Sequence, residues 1–303
     1  MRTALETNVN KHLGALLPQF VCTFLALGAT AAHAVDVDAG DYTAFPDGTN
    51  LAMLYAQHAD RNRLYANGQR VPGDNGLNSD IGVLRMIHFM KIGGFTVDPQ
   101  FLLPFGRLEG RGQLGPVLGS RSGLSDLTLA ATVWLIENPA DREYFGITPF
   151  LYAPTGTYDA SRPLNLGENR WKYALQAAYT HGVGEKFTFD VVADVTAYGR
   201  NDKADAAGHD LTQQPSMQLQ GFMRYAMSPA WDLRAGVSHV IDGQTKLAGV
   251  SRHDEARVTK IQLGTAAFVR TKTQLLATWG RDLRVDNGFK ESWRINLRLL
   301  QMF

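Results

Sequence analysis

Serine and histidine residues give the first indication of possible chemistry, because a hydrolase needs a nucleophilic hydroxyl beside an imidazole base. Ser238 and His239 are adjacent, and neighbouring side chains on a strand point to opposite faces, so these two cannot form such a pair. The pentapeptide at 119–123 has Arg121 where a nucleophile elbow has serine. We therefore predict that the chain is not an enzyme.

Metal-binding patterns are equally weak. The histidines are scattered, the motif H-E-x-x-H does not occur, and the single cysteine is Cys22. His209 has Asp202, Asp205 and Asp210 nearby in sequence and could help to hold a cation, but a solvated polar loop is the competing interpretation. We expect no metal and no cofactor. The formal charge of +1 also predicts no nucleic-acid partner.

Six charged residues form a more informative set, because each alternates with apolar residues in an extended segment. They are Asp190, Asp194, Arg224, Arg234, Arg294 and Arg298. If these segments close a barrel, the charges line its lumen, where they either pair across strands or form a constriction that selects solutes. Five apolar residues share the inward parity and either line an apolar path or plug the bore: Trp134, Phe150, Tyr152, Phe222 and Phe268.

The elements that must position these residues are strands with a period of two. In the final segment, 292–303, one face carries Trp293, Ile295, Leu297, Leu299 and Phe303, and the other carries Arg294, Asn296 and Arg298. Such alternation is typical of a strand between lipid and a wet lumen. The pattern recurs from residue 171 onward and, more weakly, near 50–58, 81–91, 95–107, 125–137 and 144–153. It predicts an all-β fold, a transmembrane antiparallel up-and-down β-barrel of about 12 strands.

The connections between these segments alternate in length. Short turns are predicted at 93–94, 138–143, 182–186, 228–230 and 270–272. Longer polar loops are predicted near 59–80, 108–124, 154–169, 200–215, 242–257 and 284–291. Short periplasmic turns and longer outer loops are typical of outer-membrane barrels. Aromatic residues near the strand ends, such as Phe187, Trp231 and Trp279, fit the two interfacial girdles of that class.

The N-terminus has the features of a secretory signal peptide. Arg2 and Lys11 precede a short apolar run at 20–27, and an A-x-A site ends at Ala34. We expect a signal peptide over 1–34 and an outer-membrane barrel over 35–303. Only about 15 residues then precede the first strand, so a large plug is not expected.

The last residue of the sequence is Phe303. A terminal phenylalanine behind alternating apolar residues resembles the signal that the barrel assembly machinery recognises. The expected partners are therefore that machinery, through the C-terminal strand, outer-membrane lipid, and small hydrophobic solutes. The expected location is the cell outer membrane of a Gram-negative bacterium.

Three motifs, at 123–128, 153–159 and 164–171, carry a more specific signal. Together they resemble the phenol meta-pathway degradation protein family, an outer-membrane transporter-like group. The resemblance rests mainly on nine residues: Gly123, Asp126, Pro154, Gly156, Tyr158, Asn165, Gly167, Asn169 and Trp171. It implies a channel for passive uptake of small hydrophobic, aromatic compounds that feed catabolism. The residue types themselves favour a folded outer loop, and direct ligand contact is the alternative.

A structural or adhesion barrel with a closed lumen and working outer loops is the competing hypothesis for function. A plugged barrel of that kind would conduct no ions across a planar bilayer, whereas a water-filled channel would.

Overall fold

Residues 36–303 are described by a computed structural model, and the predicted signal peptide lies outside them. Over this range twelve long strands form one antiparallel barrel in which each strand pairs with its successor along the chain. They are β1 (Asn50–Ala66), β3 (Asn75–His88), β5 (Phe95–Gly112), β7 (Leu127–Asn138), β8 (Glu143–Ala153), β9 (Lys172–Val183), β10 (Phe187–Tyr198), β12 (Ser216–Ser228), β13 (Trp231–Asp242), β16 (Ala256–Arg270), β17 (Thr273–Val285) and β18 (Gly288–Met302).

The barrel closes between its first and last strands. The pairing of β1 with β18 runs from Leu51 opposite Met302 to Tyr65 opposite Gly288. Closure gives every strand two neighbours, so no backbone edge is left to pair with another chain or to face lipid. The predicted fold class is confirmed, including the even strand number.

Short elements extend from the barrel, all but one of them at its loop end. At the loop end these are β2 (Gln69–Arg70), the helix α1 (Gly115–Leu118), β6 (Ser120–Leu124), and a small sheet of β11 (Leu211–Gln213), β14 (Thr245–Leu247) and β15 (Val250–Ser251). At the opposite end lies β4 (Met90–Ile92). Between residues 36 and 303, no helix combines the length and apolar character that spanning a bilayer requires.

The two faces of each strand differ as the alternation predicts. In β10, Phe187, Phe189 and Val191 are exposed, whereas Thr188 and Asp190 are buried. A strand with apolar residues outside and polar residues inside is stable only where lipid surrounds it and water or polar protein fills it.

The connections alternate between a turn end and a loop end, but three predicted loops are wrong in extent. The loop predicted at 108–124 contains the last five residues of β5 and the whole of β6. The loop predicted at 59–80 is mostly strand, because β1 continues to Ala66 and β3 begins at Asn75. The loop predicted at 284–291 is a two-residue turn between Val285 and Gly288. Backbone pairing continues there because each strand has a partner, although the side chains are polar.

Candidate solute path through the barrel

The chain before β1 lies inside the barrel, and we call residues 36–49 the N-terminal segment. It turns back from Asn50 at the turn end, and Ala39 and Tyr42 are buried among inward-facing side chains of the strands. The sequence predicted no large plug because this stretch is short. The stretch nevertheless lies in the lumen. A single irregular segment of 14 residues is enough to occupy the middle of a twelve-stranded bore, since bore size grows with strand number.

Three aspartates hold the N-terminal segment to basic residues of the wall. Asp41 lies 2.7 Å from Arg298 and 2.9 Å from Arg85. Asp38 also contacts Arg298, at 3.3 Å. These side chains are almost entirely buried, where a paired charge is tolerated and an unpaired one is costly.

Asp36 forms a second anchor, further from the turn end. Its carboxylate lies 3.4 Å from Arg294 and 3.5 Å from Lys260, and it accepts a hydrogen bond of 2.7 Å from the amide of Gln218. Three strands, β12, β16 and β18, therefore fix one side chain of the N-terminal segment.

The predicted pair Asp190 and Arg224 meets the backbone of the N-terminal segment at Gly40. The Gly40 amide donates to Asp190 at 3.1 Å, and Arg224 donates to the same carboxylate at 3.2 Å. Gly40 has φ of +86°, and a β-carbon there would lie 2.9 Å from the Arg224 guanidinium. Only glycine combines that conformation with that contact. Arg234 adds a hydrogen bond to the carbonyl of Ala39.

Five of the six predicted lumen charges thus contact the N-terminal segment, and the sixth, Asp194, accepts a hydrogen bond from Gln176. The sequence left open whether these charges pair across strands or form a constriction. Asp190 and Arg224 pair across neighbouring strands, and Arg234 pairs with Asp232 of its own strand. Arg294 and Arg298 have acidic partners on the N-terminal segment, whose position inside the lumen was not predicted from the sequence.

Tyr42 ties the N-terminal segment to the opposite wall. Its hydroxyl donates to Gln176 at 2.8 Å and lies 2.8 Å from the hydroxyl of Thr148. Its ring meets the edge of Trp134, with centroids 5.8 Å apart. The indole nitrogen of Trp134 donates to Asp98 at 2.9 Å.

The wall beside Tyr42 is interrupted. The ladder between β7 and β8 pairs Ala130 with Phe150 and Val133 with Ile147, but not the two positions between them. Pro149 has no N–H to donate, and the amide of Thr132 donates instead to the Asp98 carboxylate, at 3.0 Å. We call this place the wall interruption. On the other side of β7, Pro99 stands opposite Ala131.

A cavity of about 210 Å³ surrounds the N-terminal segment and reaches the wall interruption. Its lining combines aromatic and aliphatic groups, including Phe150, Phe268 and Leu102, with polar groups such as Arg85 and Gln274. An apolar cavity of roughly 150 Å³ holds benzene, so this volume accommodates one aromatic ring.

Two of the predicted inward aromatics, Trp134 and Phe222, are buried in the core around the N-terminal segment.

The loop end of the barrel is covered by an apolar cluster. The cluster joins wall residues to α1 and to the loop at 154–171. Its members are Leu64, Leu77, Leu108, Leu114, Leu118, Leu164 and Leu166. This cluster holds the loop inward over the bore.

The motif glycines let that loop fold back on itself. A β-carbon at Gly156 would lie 2.6 Å from the α-carbon of Gly167, and one at Gly123 would overlap the side chain of Thr157. Asp126 fixes the same contact, because its two oxygens accept the amides of Gly156 and Glu168, each at 2.9 Å.

The remaining motif residues also bond within the loops. Asn165 accepts from the amide of Asp159 at 2.8 Å and donates to two loop carbonyls. The Tyr158 hydroxyl donates to the carbonyl of Lys203 at 2.8 Å. Asn169 has φ of +54° and donates to Asn201. Pro154 follows the end of β8, and Trp171 is exposed just before β9.

A buried charge cluster that the sequence did not single out lies at the base of this loop. Glu168 pairs with Arg170 at 2.7 Å and with Lys172. Arg170 and Lys172 also lie over the rings of Tyr198 and Tyr152, at 4.5 and 4.6 Å. Burial alone would raise the pKa of Glu168, but Lys172 and Arg170 outweigh it and lower the pKa to about 2.

The residues considered for catalysis and metal binding bond to separate partners. His239 contacts Thr259 at 2.9 Å, and His209 contacts Asp205 at 2.7 Å. Among residues 36–303, no group of three or more histidine, aspartate or glutamate side chains is arranged to hold a metal ion.

Comparison with known proteins identifies the family to which the chain belongs. Residues 59–299 match the family described as "Putative MetA-pathway of phenol degradation". The chain belongs to this family. A solved outer membrane channel from Pseudomonas putida F1 is 40% identical, with a TM-score of 0.85 over 88% of this chain and 100% of that one. No curated protein matches the chain in sequence.

More distant similarity concerns the fold alone. The transport unit of the autotransporter AIDA-I from Escherichia coli is 7% identical, with a TM-score of 0.52 over 92% of this chain and 95% of that one. The family members and the closed barrel place this chain in the outer membrane of a Gram-negative bacterium, as an outer-membrane channel. The turn end is then the periplasmic end, and the loop end faces outward.

Proposed function

We propose that this member of the family mediates passive uptake of small hydrophobic, aromatic compounds that feed catabolism. The observation that carries the proposal is the cavity of about 210 Å³, which is ring-sized, partly apolar and bordered by Thr132 and Thr148 of the wall interruption. The family description and the Pseudomonas putida channel support it. We infer no catalytic role for the residues considered above.

The route that we propose begins at the outer loops. The apolar cluster around Leu164 and Leu166 supplies a surface on which an aromatic solute gains free energy, at about 25 cal/mol per Å² of apolar area removed from water. Phe150 and Tyr152, stacked with centroids 6.4 Å apart, lead from there toward the cavity. Five of the lumen-facing charges, Asp190, Arg224, Arg234, Arg294 and Arg298, act in this scheme by holding the N-terminal segment. Asp194 acts through Gln176, which bonds to Tyr42.

We propose the wall interruption as the exit from the cavity. A charged segment fills the axis of the barrel, and crossing it would require an apolar solute to displace buried ion pairs. The side chains of Pro99, Ala131 and Pro149 face outward across three strands, and Pro99 and Pro149 donate no hydrogen bonds. A side-chain hydrogen bond from Thr148 to Thr132, at 3.0 Å, crosses the two unpaired positions, so opening the wall there breaks fewer backbone hydrogen bonds than opening it elsewhere.

A structural or adhesion barrel is the second candidate, because the N-terminal segment closes the axis. Phospholipid bilayers are themselves permeable to small aromatics, so intact cells with their glycolipid outer leaflet are the better test. Oxygen consumption driven by limiting phenol is measured in a deletion strain and in the same strain carrying the gene. Restoration of the rate by the gene supports uptake. Equal rates, with the protein folded in the outer membrane, favour the structural barrel.

Two further proposals concern how the chain reaches the membrane. We propose cleavage after Ala34 and recognition of the C-terminal strand, ending at Phe303, by the barrel assembly machinery. N-terminal sequencing of the purified protein tests the first proposal. Loss of the folded barrel on replacing Phe303 with alanine tests the second.

A further inference from the structure

The outward face of β17, β18 and β1 has an abrupt upper boundary. Toward the periplasm it is apolar, with Leu275 and Ala277 on β17 and Leu297 and Leu299 on β18. The band ends at Trp279 and Trp293, which are both exposed. Tryptophan favours the interface between hydrocarbon and head groups, so these rings mark the outer edge of the membrane.

Three cations lie just beyond this edge, and we call Arg63, Lys290 and Arg281 the basic cluster. Arg281 lies between the buried residues Gly280 and Asp282 and therefore faces outward. Lys290 is flanked by Glu291 and Phe289, which contribute to the interior, so it also faces outward. Its ammonium donates to the carbonyl of Leu283, at 2.6 Å, two residues along β17 from Arg281.

The basic cluster has an unfavourable internal arrangement. Arg63 and Lys290 are directly opposite each other in the pairing of β1 with β18. Like charges in that relationship repel and destabilise the sheet. Within the described chain, no carboxylate forms an ion pair with any of the three, whereas neighbouring Arg284 and Arg257 pair with Asp286 and Glu255.

We propose that the basic cluster binds a phosphate group of the glycolipid that forms the outer leaflet. A phosphate dianion placed between Lys290 and Arg281 relieves the repulsion and accepts charge-assisted hydrogen bonds from both. The acyl chains of the same lipid then lie on the apolar band below Trp279 and Trp293. Phospholipid head groups on the periplasmic side cannot reach this height on the barrel.

The test uses the whole purified barrel and two probes, bisphosphorylated lipid A and the same lipid A after enzymatic dephosphorylation. Binding is titrated by native mass spectrometry for the wild type, Arg281→Gln/Lys290→Gln, and Arg284→Gln as the matched control. The difference in gel mobility between unheated and heated samples verifies that each variant is folded. The thermal midpoint without lipid A is recorded in parallel.

We expect the wild type to bind the phosphorylated probe at least tenfold more tightly than the dephosphorylated one. The double variant should lose that preference, and Arg284→Gln should keep it. Lys290→Gln alone should raise the thermal midpoint in the absence of lipid, because it removes the repulsion with Arg63. Equal binding of the two probes by the wild type, or an unchanged preference in the double variant, would overturn the proposal.

Discussion

Replacing Asp41 with asparagine tests how the N-terminal segment is held. The substitution keeps the shape of the side chain and removes the charge that pairs with Arg298 at 2.7 Å and Arg85 at 2.9 Å. Burial alone would raise the pKa of Asp41, but these two arginines outweigh it and lower the pKa. The carboxylate is therefore charged at neutral pH, and its loss leaves two buried guanidinium groups poorly compensated.

The expected size of the effect follows from that burial. Removing one partner of a buried ion pair costs about 3–5 kcal/mol. The strands remain paired without the N-terminal segment, so most of this cost falls on the equilibrium between its docked and undocked states. Undocking should become more frequent by roughly two to nearly four orders of magnitude, since about 1.4 kcal/mol corresponds to a factor of ten.

A cysteine at Thr43 reports undocking. Thr43 lines the cavity, and the only native cysteine, Cys22, lies in the predicted signal peptide. The rate of reaction with a bulky maleimide is compared between Thr43→Cys and Asp41→Asn/Thr43→Cys. Asp47→Asn is the matched control, because exposed Asp47 accepts one amide of the turn end, at 3.1 Å. Equal rates for the Asp41 variant and the Asp47 control would refute the anchoring role of these ion pairs.

Three further predictions concern the outer loop. Glu168→Gln should destabilise the folded loop by about 3–5 kcal/mol, seen as faster proteolysis within 154–171, while Glu255→Gln, at an exposed pair with Arg257, should have no such effect. The pKa of Glu168 is lowered to about 2, so the stabilisation that it gives the folded loop is complete above its ordinary pKa near 4.5 and is lost as the pH falls from there toward 2. A wild-type loop whose protease resistance is unchanged over that pH range would contradict the assignment of this ion-pair cluster. Gly156→Ala should cost about 1–3 kcal/mol because of its contact with Gly167, measured by the same proteolysis, and Gly221→Ala, where a β-carbon meets no atom within 4 Å, should behave as the wild type.

The barrel itself was predictable because lipid and lumen impose opposite demands on alternate residues. In β18, Ile295, Leu297 and Leu299 alternate with Arg294, Asn296 and Arg298, and no helical or soluble arrangement explains that pattern as well. The outer strand ends were harder to predict. Beyond the hydrocarbon the alternation fades, so 284–291 has the composition of a loop although it forms a tight hairpin.

The docking of the N-terminal segment could not be predicted from local sequence. Asp36, Asp38 and Asp41 have the composition of an ordinary exported N-terminus, and their partners come from β3, β16 and β18. Only the closed barrel brings these strands around one axis. One available signal was the row of inward arginines, which needed more acidic partners than the strands supply nearby.

The charge cluster at Glu168 was missed for a different reason. Charges at 168, 170 and 172 alternate like those of a strand, but the first two belong to a loop that turns inward. Among the motif residues, Gly156 and Gly167 meet backbone to backbone within the loop. Direct ligand contact by these residues stays a prediction.

The central claim, that the barrel takes up aromatic solutes through the wall interruption, is tested most directly by measuring phenol uptake when an engineered disulfide closes that interruption. Ala131→Cys/Pro149→Cys places two thiols opposite each other at the wall interruption, where the register continues across the unpaired positions. The initial rate of ring-labelled phenol uptake is measured in deletion cells carrying no gene, the wild type, the double variant, or either single variant. We predict fast uptake with the wild type and single variants, and slow uptake with the oxidised double variant that recovers on adding a reductant. Uptake by the deletion cells as fast as by the wild type would contradict the account.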